Sequence, residues 1–164
     1  MLRVSDVLKL IYPNSLDFVQ QHHLDDGTRK HKKMEIWGNN QIYGYKSEVD
    51  PEIQPMVDWL EKEHVTIESC EEWVEHKLGV GGHPDCLAVW RGREHWIDWK
   101  FAETITEQNQ MQGCAYTYLT KRPGFFLQCP SSGIVKGVRC KPNPQLLAVF
   151  LAGLSVLKFQ LARA

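Results

Sequence analysis

The stretch Gly82-His-Pro-Asp-Cys-Leu-Ala-Val-Trp-Arg-Gly-Arg-Glu-His-Trp-Ile-Asp-Trp-Lys100 predicts two β-strands joined by a turn at Arg91-Gly92. Side chains alternate between the two faces of a strand, so Asp98 and Lys100 share one face of the second strand, His95–Phe101. The other face is apolar and requires a core; it consists of Ile97, Trp99 and Phe101. A carboxylate and an ammonium group side by side are costly to bury unless they have a function.

Asp85 begins the first strand of this hairpin and can bring a second carboxylate close to Asp98. Two carboxylates and a lysine are what a hard cation such as Mg²⁺ or Mn²⁺, with a water molecule activated beside it, requires. The alternative is a surface hairpin with an ordinary ion pair, since exposed pairs are common and contribute little to stability. The other motifs of the chain distinguish these two interpretations.

Length and composition predict one globular domain over residues 1–164, large enough to bury its own core. The hydrophobic fraction of 43% and the charged fraction of 24% are typical of a soluble protein. The net charge of −1 provides no overall basic field. A nucleic-acid partner would therefore have to be attracted by a local basic patch.

The five cysteines are odd in number and include no C-x-x-C pair, which argues against a disulfide framework or a zinc ribbon. We therefore expect a cytoplasmic protein, or one in the host cytoplasm if it is viral. The segment Met1–Tyr12 carries charges where a signal peptide would be apolar. The apolar run Leu146–Leu157 is short for a bilayer and predicts a buried helix, so no membrane partner is expected.

Local signals along the chain predict both helices and strands. Helices are expected at Ser5–Ile11, Asn14–Leu24, Thr28–Trp37, from Pro55, at Ile105–Thr120 and from Pro144 to Arg163. Besides the hairpin, strands are expected at Val65–Lys77, Phe125–Gln128 and Ile134–Cys140. Asp25-Asp26-Gly27 and Gly38–Asp50 are expected to be turn and loop, and a capping box at Thr104–Glu107 to begin the fifth helix. This order predicts an α/β fold with a central mixed β-sheet flanked by helices.

Two motifs resemble a known nuclease superfamily. Pro84-Asp85, followed after twelve residues by Asp98-Trp99-Lys100, is similar to the signature of the PD-(D/E)xK nucleases. On the next helix, Gln112 and Tyr116 are four residues apart and share one face. The same Q-x-x-x-Y pattern follows the D-x-K strand in the RecB-like branch, which includes phage-type exonucleases. The resemblance implies that Gln112 and Tyr116 help to hold the DNA backbone.

The segment Gly27-Thr28-Arg29-Lys30-His31 resembles the G-T-x-x-H element that the RecB-like branch carries on an early helix. The resemblance implies that His31 contributes to metal binding. The alternative is an ordinary surface histidine in a basic helix. The element also places positive charge where the DNA backbone would run, on Arg29, Lys30, Lys32 and Lys33.

RecB-like enzymes also carry a glutamate upstream of the Asp85 turn, which supplies or orders a second metal ligand. This chain offers four candidates: Glu68, Glu71, Glu72 and Glu75. The segment Glu71-Glu-Trp-Val-Glu-His76 is similar to the pattern in the mitochondrial genome-maintenance exonucleases, which favours Glu71. Glu72, on the opposite face of the predicted strand, is the main rival.

Together these five elements imply a restriction-endonuclease-like core and a deoxyribonuclease that depends on Mg²⁺ or Mn²⁺. The implied catalytic residues are Asp85, Asp98, Lys100 and Glu71. The implied metal ligands are His31, Asp85, Asp98 and the main-chain carbonyl of Trp99. The clustered cysteines of the iron–sulfur RecB-like members are missing, so no such cluster is expected. We expect an exonuclease acting on the ends of single-stranded or duplex DNA in recombination, repair or phage replication, with a structure-selective or restriction-like endonuclease and an inactive DNA-binding relative as alternatives.

Overall fold

A computed structural model describes residues 1–13 and 21–163. Its helices are α1 (Val4–Ile11), α2 (Gln21–Tyr43), α3 (Gln54–Lys62), α4 (Glu107–Thr120) and α5 (Pro144–Leu161). Its strands are β1 (Leu2–Arg3), β2 (Thr66–Cys70), β3 (Val74–His76), β4 (Val80–Gly82), β5 (Cys86–Trp90), β6 (Arg93–Lys100), β7 (Gly124–Gln128) and β8 (Lys136–Arg139). The helix expected at Asn14–Leu24 falls largely outside the described residues.

Five of the strands form a central sheet in the order β2-β5-β6-β7-β8. Strands β6 and β7 are parallel and the other neighbours are antiparallel, so the sheet is mixed, as predicted. Helix α4 is the crossover between the parallel pair, as such a connection requires, and it packs against both strands. A smaller sheet has the order β1-β4-β3.

The hairpin of β5 and β6 forms where the sequence predicts it. The turn Arg91-Gly92 has positive φ at both residues, 53° and 73°, as a two-residue turn with the twist of the flanking strands requires. Glycine adopts this conformation without steric cost. Cys86 lies opposite Ile97 in the antiparallel register. Asp85, which precedes Cys86, is therefore level with Asp98.

The central sheet has an apolar core on each face. On one face, β6 and β7 pack against α2 and α3 through buried side chains that include Ile97, Trp99, Phe125 and Leu127. On the other face, Trp96 and Phe126 pack against α1, α4 and α5. Because alternation places Asp98 and Lys100 on the same face as Trp96, the charged pair lies under α4.

Helix α2 is longer than predicted, since it includes the turn signal Asp25-Asp26-Gly27 and continues into the segment expected to be loop. Asp26 forms ion pairs with Arg29 and Lys30, one turn later on the same helix, and pairs at this spacing stabilise a helix. At Gly38 the helix packs closely on β2, because a Cβ there would lie 2.4 Å from the sulfur of Cys70. Tertiary packing and helical ion pairs thus override the local turn and loop signals.

Gly27 gives a test of this continuous helix. A Cβ at this position would meet nothing within 4 Å, so Gly27→Ala should raise the free energy of unfolding by about 0.5–1 kcal/mol. The matched control is Gly124→Ala, because a Cβ at that position would lie 2.1 Å from the Trp96 ring. This substitution should lower the free energy of unfolding by about 1–3 kcal/mol. Urea unfolding measures both. A loss of stability in Gly27→Ala would contradict the continuous helix.

The prediction of a single strand at Val65–Lys77 is wrong, because this segment forms β2 in the central sheet and β3 in the small sheet. The chain changes direction at Glu71, a residue other than glycine with a φ of 52°. A left-handed backbone at such a residue ends the strand locally. This break separates the two sheets and brings Glu71 to the end of β2.

The start of α4 differs from the predicted capping box. Thr106 is the N-cap, and it exchanges hydrogen bonds with Asn109. The carboxylate of Glu107 accepts a hydrogen bond of 2.8 Å from the hydroxyl of Tyr12 instead of capping Thr104. The helix therefore begins two residues later than predicted, because a long-range contact takes the capping side chain.

Helix α5 is not the buried helix that the sequence predicts. Only 17% of its 18 residues are buried, and several of its large apolar side chains are exposed: Val149, Val156, Phe159 and Leu161. By length and composition alone, it is the one helix in the described part of the chain that could cross a membrane, with a mean hydropathy of 1.5. Its N-cap is Asn143, whose side chain accepts hydrogen bonds from the main-chain N–H groups of Gln145 and Leu146.

Candidate active site

The charged pair lies at the end of β6. Lys100 Nζ is 2.5 Å from Asp98 Oδ2, and the side chains are 17% and 3% exposed. Besides this ammonium group, the buried carboxylate oxygen has no partner among the described residues. Asp98 therefore retains acceptor capacity for a further ligand.

Asp85 is fixed beside this pair by the backbone of β6. Its Oδ2 accepts a hydrogen bond of 2.6 Å from the main-chain N–H of Trp99. Asp85 is itself buried, so two carboxylates converge at the same end of the sheet with little water to screen them. The structure thus brings together Asp85, Asp98 and Lys100, three of the four residues expected to be catalytic.

Helix α2 brings His31 to the carboxylates. Its Nδ1 is 2.8 Å from the carbonyl oxygen of Gly27, and its Nε2 is 2.8 Å from that of Trp99. Because a carbonyl only accepts, both ring nitrogens carry protons in this arrangement. Burial lowers the pKa of His31, but the hydrogen bond and charge of Asp85, 3.4 Å from Nε2, outweigh burial and raise it to about 9.

The two members of the charged pair have perturbed pKa values. Burial raises the pKa of Asp98 to about 6, in spite of the opposing charge of Lys100. Burial lowers the pKa of Lys100, but the charges of Asp98 and Asp85 outweigh it, and the net shift is upward. Lys100 is therefore an ammonium ion at neutral pH.

Glu71, the preferred upstream acid, lies next to Asp85. Its main-chain N–H donates to the Asp85 carbonyl over 3.1 Å, and its own carbonyl accepts a hydrogen bond of 2.7 Å from the His83 ring. Burial, followed by the charges of Asp85 and Glu35, raises the pKa of Glu71 to about 7. Glu71 and its rival Glu72 are both exposed, so it is the main-chain hydrogen bond to Asp85 that distinguishes Glu71. Glu71 has a left-handed backbone conformation that these two hydrogen bonds hold in place, and such strained residues are typical of functional sites.

Glu35 is a residue near this site that the sequence analysis did not identify. It lies one helical turn after His31, on the same face of α2, and its charge acts on Glu71. Lys32 forms an ion pair of 2.8 Å with it. The spacing of four residues between His31 and Glu35 is the signal that could have identified it.

Gln112 and Tyr116 form a chain of hydrogen bonds beneath the site. Lys100 Nζ donates to Gln112 Oε1 over 3.2 Å, and Gln112 Nε2 donates to the Tyr116 hydroxyl over 3.4 Å. That hydroxyl donates to the His83 carbonyl over 2.9 Å. Tyr116 is only 5% exposed, so the chain links Lys100 to the turn that carries Asp85. A contact of these two side chains with DNA remains a prediction.

The four basic residues of α2 lie near the site, but each is paired with carboxylates. The pairs are Arg29 with Asp26 and Glu52, Lys30 with Asp26, Lys32 with Glu35, and Lys33 with Asp50 and Glu52. A DNA phosphate at this helix must therefore compete with existing ion pairs. Their role in DNA binding also remains a prediction.

The donor atoms at the end of β6 fit a hard divalent cation. Among residues 1–13 and 21–163, no group of three His, Cys, Asp or Glu side chains forms a metal-binding cluster. Asp85, Asp98 and the Trp99 carbonyl nevertheless supply oxygen donors. Mg²⁺ commonly uses one or two carboxylates and completes its coordination shell with water. Asp98 Oδ2, whose partner among the described residues is the Lys100 ammonium group alone, suits such a ligand role.

The raised pKa of His31 predicts a pH-dependent contribution to stability in metal-free protein. The proton is bound in the native state up to about pH 9, against an ordinary pKa of 6.5. The stabilisation is therefore complete below pH 6.5 and is lost as the pH rises through 9. The His31 side chain is 34% exposed, so solvent screens part of this interaction. We therefore expect the contribution of His31 to the free energy of unfolding to fall by about 1–2 kcal/mol as the pH rises through this interval. The measurement is urea unfolding with a chelator, comparing the protein with His31→Gln at pH 6 and pH 9.5; an equal difference at both pH values would contradict it.

Comparison with known proteins gives a fold but no family. No protein-family model and no curated protein matches the chain. The structure is similar to the crystal structure of an alkaline exonuclease (LHK-Exo) from Laribacter hongkongensis, with a TM-score of 0.60, 13% identity, and coverage of 99% of this chain and 88% of that chain. LHK-Exo in complex with dAMP gives a TM-score of 0.59 at 14% identity, with the same coverage. The predicted fold class, an α/β restriction-endonuclease-like core, is confirmed.

Proposed function

We propose that this protein is a metal-dependent deoxyribonuclease that hydrolyses phosphodiester bonds. The observation that carries the proposal is the buried pair of Asp98 and Lys100 with Asp85 beside it, at the end of a central strand, in a fold shared with an alkaline exonuclease. Breaking or burying such charges is costly, and perturbed groups of this kind are concentrated at functional sites.

Asp85, Asp98 and the main-chain carbonyl of Trp99 would hold Mg²⁺ or Mn²⁺. Glu71 and His31 would complete that site or a second one. His31 must first lose a proton and leave the Trp99 carbonyl, since an imidazolium ion cannot act as a ligand. When bound, the cation supplies a Lewis acid that polarises the phosphate and lowers the pKa of a bound water.

Lys100 would position the attacking water. As an ammonium ion it can donate a hydrogen bond to that water, and Gln112 holds its Nζ in place. It can accept a proton only when the charges of Asp98 and Asp85 are compensated, because these charges hold its pKa up. Asp98 thus has two roles, as a ligand and as the group that sets the protonation of Lys100.

We further propose that the substrate is DNA with a free end, cut exonucleolytically in recombination, repair or phage replication. The dAMP complex of LHK-Exo supports a substrate that contains nucleotides. Gln112, Tyr116 and the basic residues of α2 are the proposed backbone contacts at the site. We also propose that the protein has no iron–sulfur cluster and that it acts in the cytoplasm.

The test is digestion of end-labelled linear DNA and closed circular DNA, single- and double-stranded, with Mg²⁺, Mn²⁺ or a chelator. We expect the linear substrates to be degraded with either metal and left intact with the chelator. Cutting of closed circles would instead identify the endonuclease alternative. Binding of DNA without cleavage of any substrate would identify an inactive relative.

A further inference from the structure

A cavity of about 970 Å³ lies away from the carboxylates, at the opposite end of β6. We call it the distal groove; its lining includes Trp90, Arg93, Tyr118, Lys121, Phe125 and Arg139. Strand β6 runs from Arg93 in this groove to the active-site end. The five residues from Arg93 to Asp98 span about 17 Å at 3.3 Å per residue. The groove is therefore separate from the candidate active site.

The distal groove has an excess of positive charge. Five basic residues line it, and two of them are neutralised: Arg122 by Glu68 and Glu94, and Arg91 by Glu63. The side chains of Arg93, Lys121 and Arg139 are exposed and form no ion pair within residues 1–13 and 21–163. This contrasts with the basic residues of α2, which are all paired. Uncompensated charge on a chain of net charge −1 favours a polyanionic ligand at the groove.

Aromatic rings lie beside these cations. The guanidinium carbon of Arg91 lies 4.4 Å from the centre of the Trp90 ring, and the centres of the Trp90 and Phe125 rings are 5.0 Å apart. Elsewhere in the lining, Lys121 Nζ lies 4.2 Å from the centre of the Tyr118 ring. Planar cations and aromatic rings along a basic groove are the surfaces on which proteins stack the bases of single-stranded nucleic acid.

We propose that the distal groove binds the backbone of a single nucleic-acid strand, at Arg93, Lys121 and Arg139. The inference rests on the proposed function, since the strand held there is the part of the substrate that is not being cut. At about 3.4 Å or more per nucleotide, a strand of twenty nucleotides is much longer than the separation of about 17 Å, so it can occupy the active site and the groove together.

The experiment measures the salt dependence of DNA binding by fluorescence anisotropy, with Ca²⁺ in place of Mg²⁺. The groove variant is Arg93→Ala/Lys121→Ala/Arg139→Ala. The matched control is Lys9→Ala/Lys46→Ala/Lys62→Ala, which removes the same charge from exposed lysines elsewhere. For a 20-nucleotide strand, the slope of log affinity against log salt should become shallower by about 2 in the groove variant, at roughly 0.7 for each phosphate contact. The control should keep the slope of the unmodified protein.

An unchanged slope in the groove variant would overturn the proposal, as would an equal loss in the control. A slope that is unchanged together with weaker dAMP binding would instead identify a site for a free nucleotide. If the triple variant does not fold, the single variants Arg93→Gln and Arg139→Gln should each reduce the slope by about 0.7. Cleavage is measured separately with Mg²⁺. If the groove variant shows the expected loss of slope but the protein cleaves no DNA, the nuclease proposal is wrong and the groove proposal stands. If the protein cleaves DNA but the slope is unchanged in the groove variant, the groove proposal is wrong and the nuclease proposal stands.

Discussion

Replacing Lys100 with Ala should lower the rate of DNA cleavage by about 10²–10⁴-fold, the range for loss of a group that positions or transfers a proton. The expectation follows from the position of Nζ, which lies 2.5 Å from Asp98 and is held by Gln112 on the other side. Metal binding should persist, because the oxygen donors on Asp85 and Asp98 remain. The measurement is single-turnover cleavage of end-labelled DNA with saturating Mn²⁺.

Loss of activity through unfolding must be separated from loss of chemistry. Lys100→Ala leaves Asp98 without its charged partner, and breaking a buried pair commonly costs about 3–5 kcal/mol. With metal bound, the cation compensates Asp98, so melting curves recorded with Mn²⁺ show whether the variant is folded. Lys9→Ala, which removes an exposed lysine of α1 with no proposed role at the site, is the matched control and should retain most of the activity. A folded Lys100→Ala variant that cleaves at the unmodified rate would exclude Lys100 from the mechanism.

Mn²⁺ or Mg²⁺ should stabilise the protein, and Asp98→Asn should lose most of that gain. A ligand that binds only the native state contributes RT ln(1 + [L]/Kd), about 2.7 kcal/mol at a hundredfold excess over Kd. For a chain of this size, the gain corresponds to a rise in Tm of roughly 5–10 °C. Asp98→Asn removes a buried carboxylate ligand and should reduce the rise to about 1–2 °C or less. The measurement is thermal unfolding with a chelator and with increasing Mn²⁺.

The comparison variants locate the site within the carboxylate cluster. His31→Ala should weaken the metal-dependent rise in Tm less than Asp98→Asn does, since His31 is bound to the Trp99 carbonyl when no metal is present. Glu48→Gln changes an exposed carboxylate on a loop and should leave the rise unchanged. Without metal, Asp98→Asn should be less stable than the unmodified protein, because Lys100 then remains a buried ammonium ion without its carboxylate. A full metal-dependent rise in Asp98→Asn would place the cation elsewhere and remove the chemical basis of the nuclease proposal.

The local pattern of the chain determined the hairpin and the side on which its charges lie. Strict alternation from Ile97 to Lys100 fixes which side chains share a face, whatever packs on them. The Arg91-Gly92 turn fixes the register, and the register makes Asp85 level with Asp98. These features depend on neighbours in sequence, so they could be predicted without the tertiary structure. The order of helices and strands determined the α/β class for the same reason.

The tertiary structure alone decided which partner each side chain meets. His31 could be read as a ligand, but only the docking of α2 on β6 shows that its ring bridges Gly27 and Trp99. Gln112 and Tyr116 share a helix face in the sequence, yet that face packs onto Lys100 and the His83 turn.

The sequence-based predictions that proved wrong also concern features that depend on contacts between distant segments. The exposed apolar face of α5, the close packing of α2 on β2 and the ion pairs of Arg29 and Lys33 with Glu52 depend on segments distant in sequence. The distal groove is assembled from β5, β6, α4, β7, β8 and α5, so no single stretch of sequence contains it. Periodicity and propensity report how a segment can fold, whereas burial and charge compensation depend on what the rest of the chain places against it.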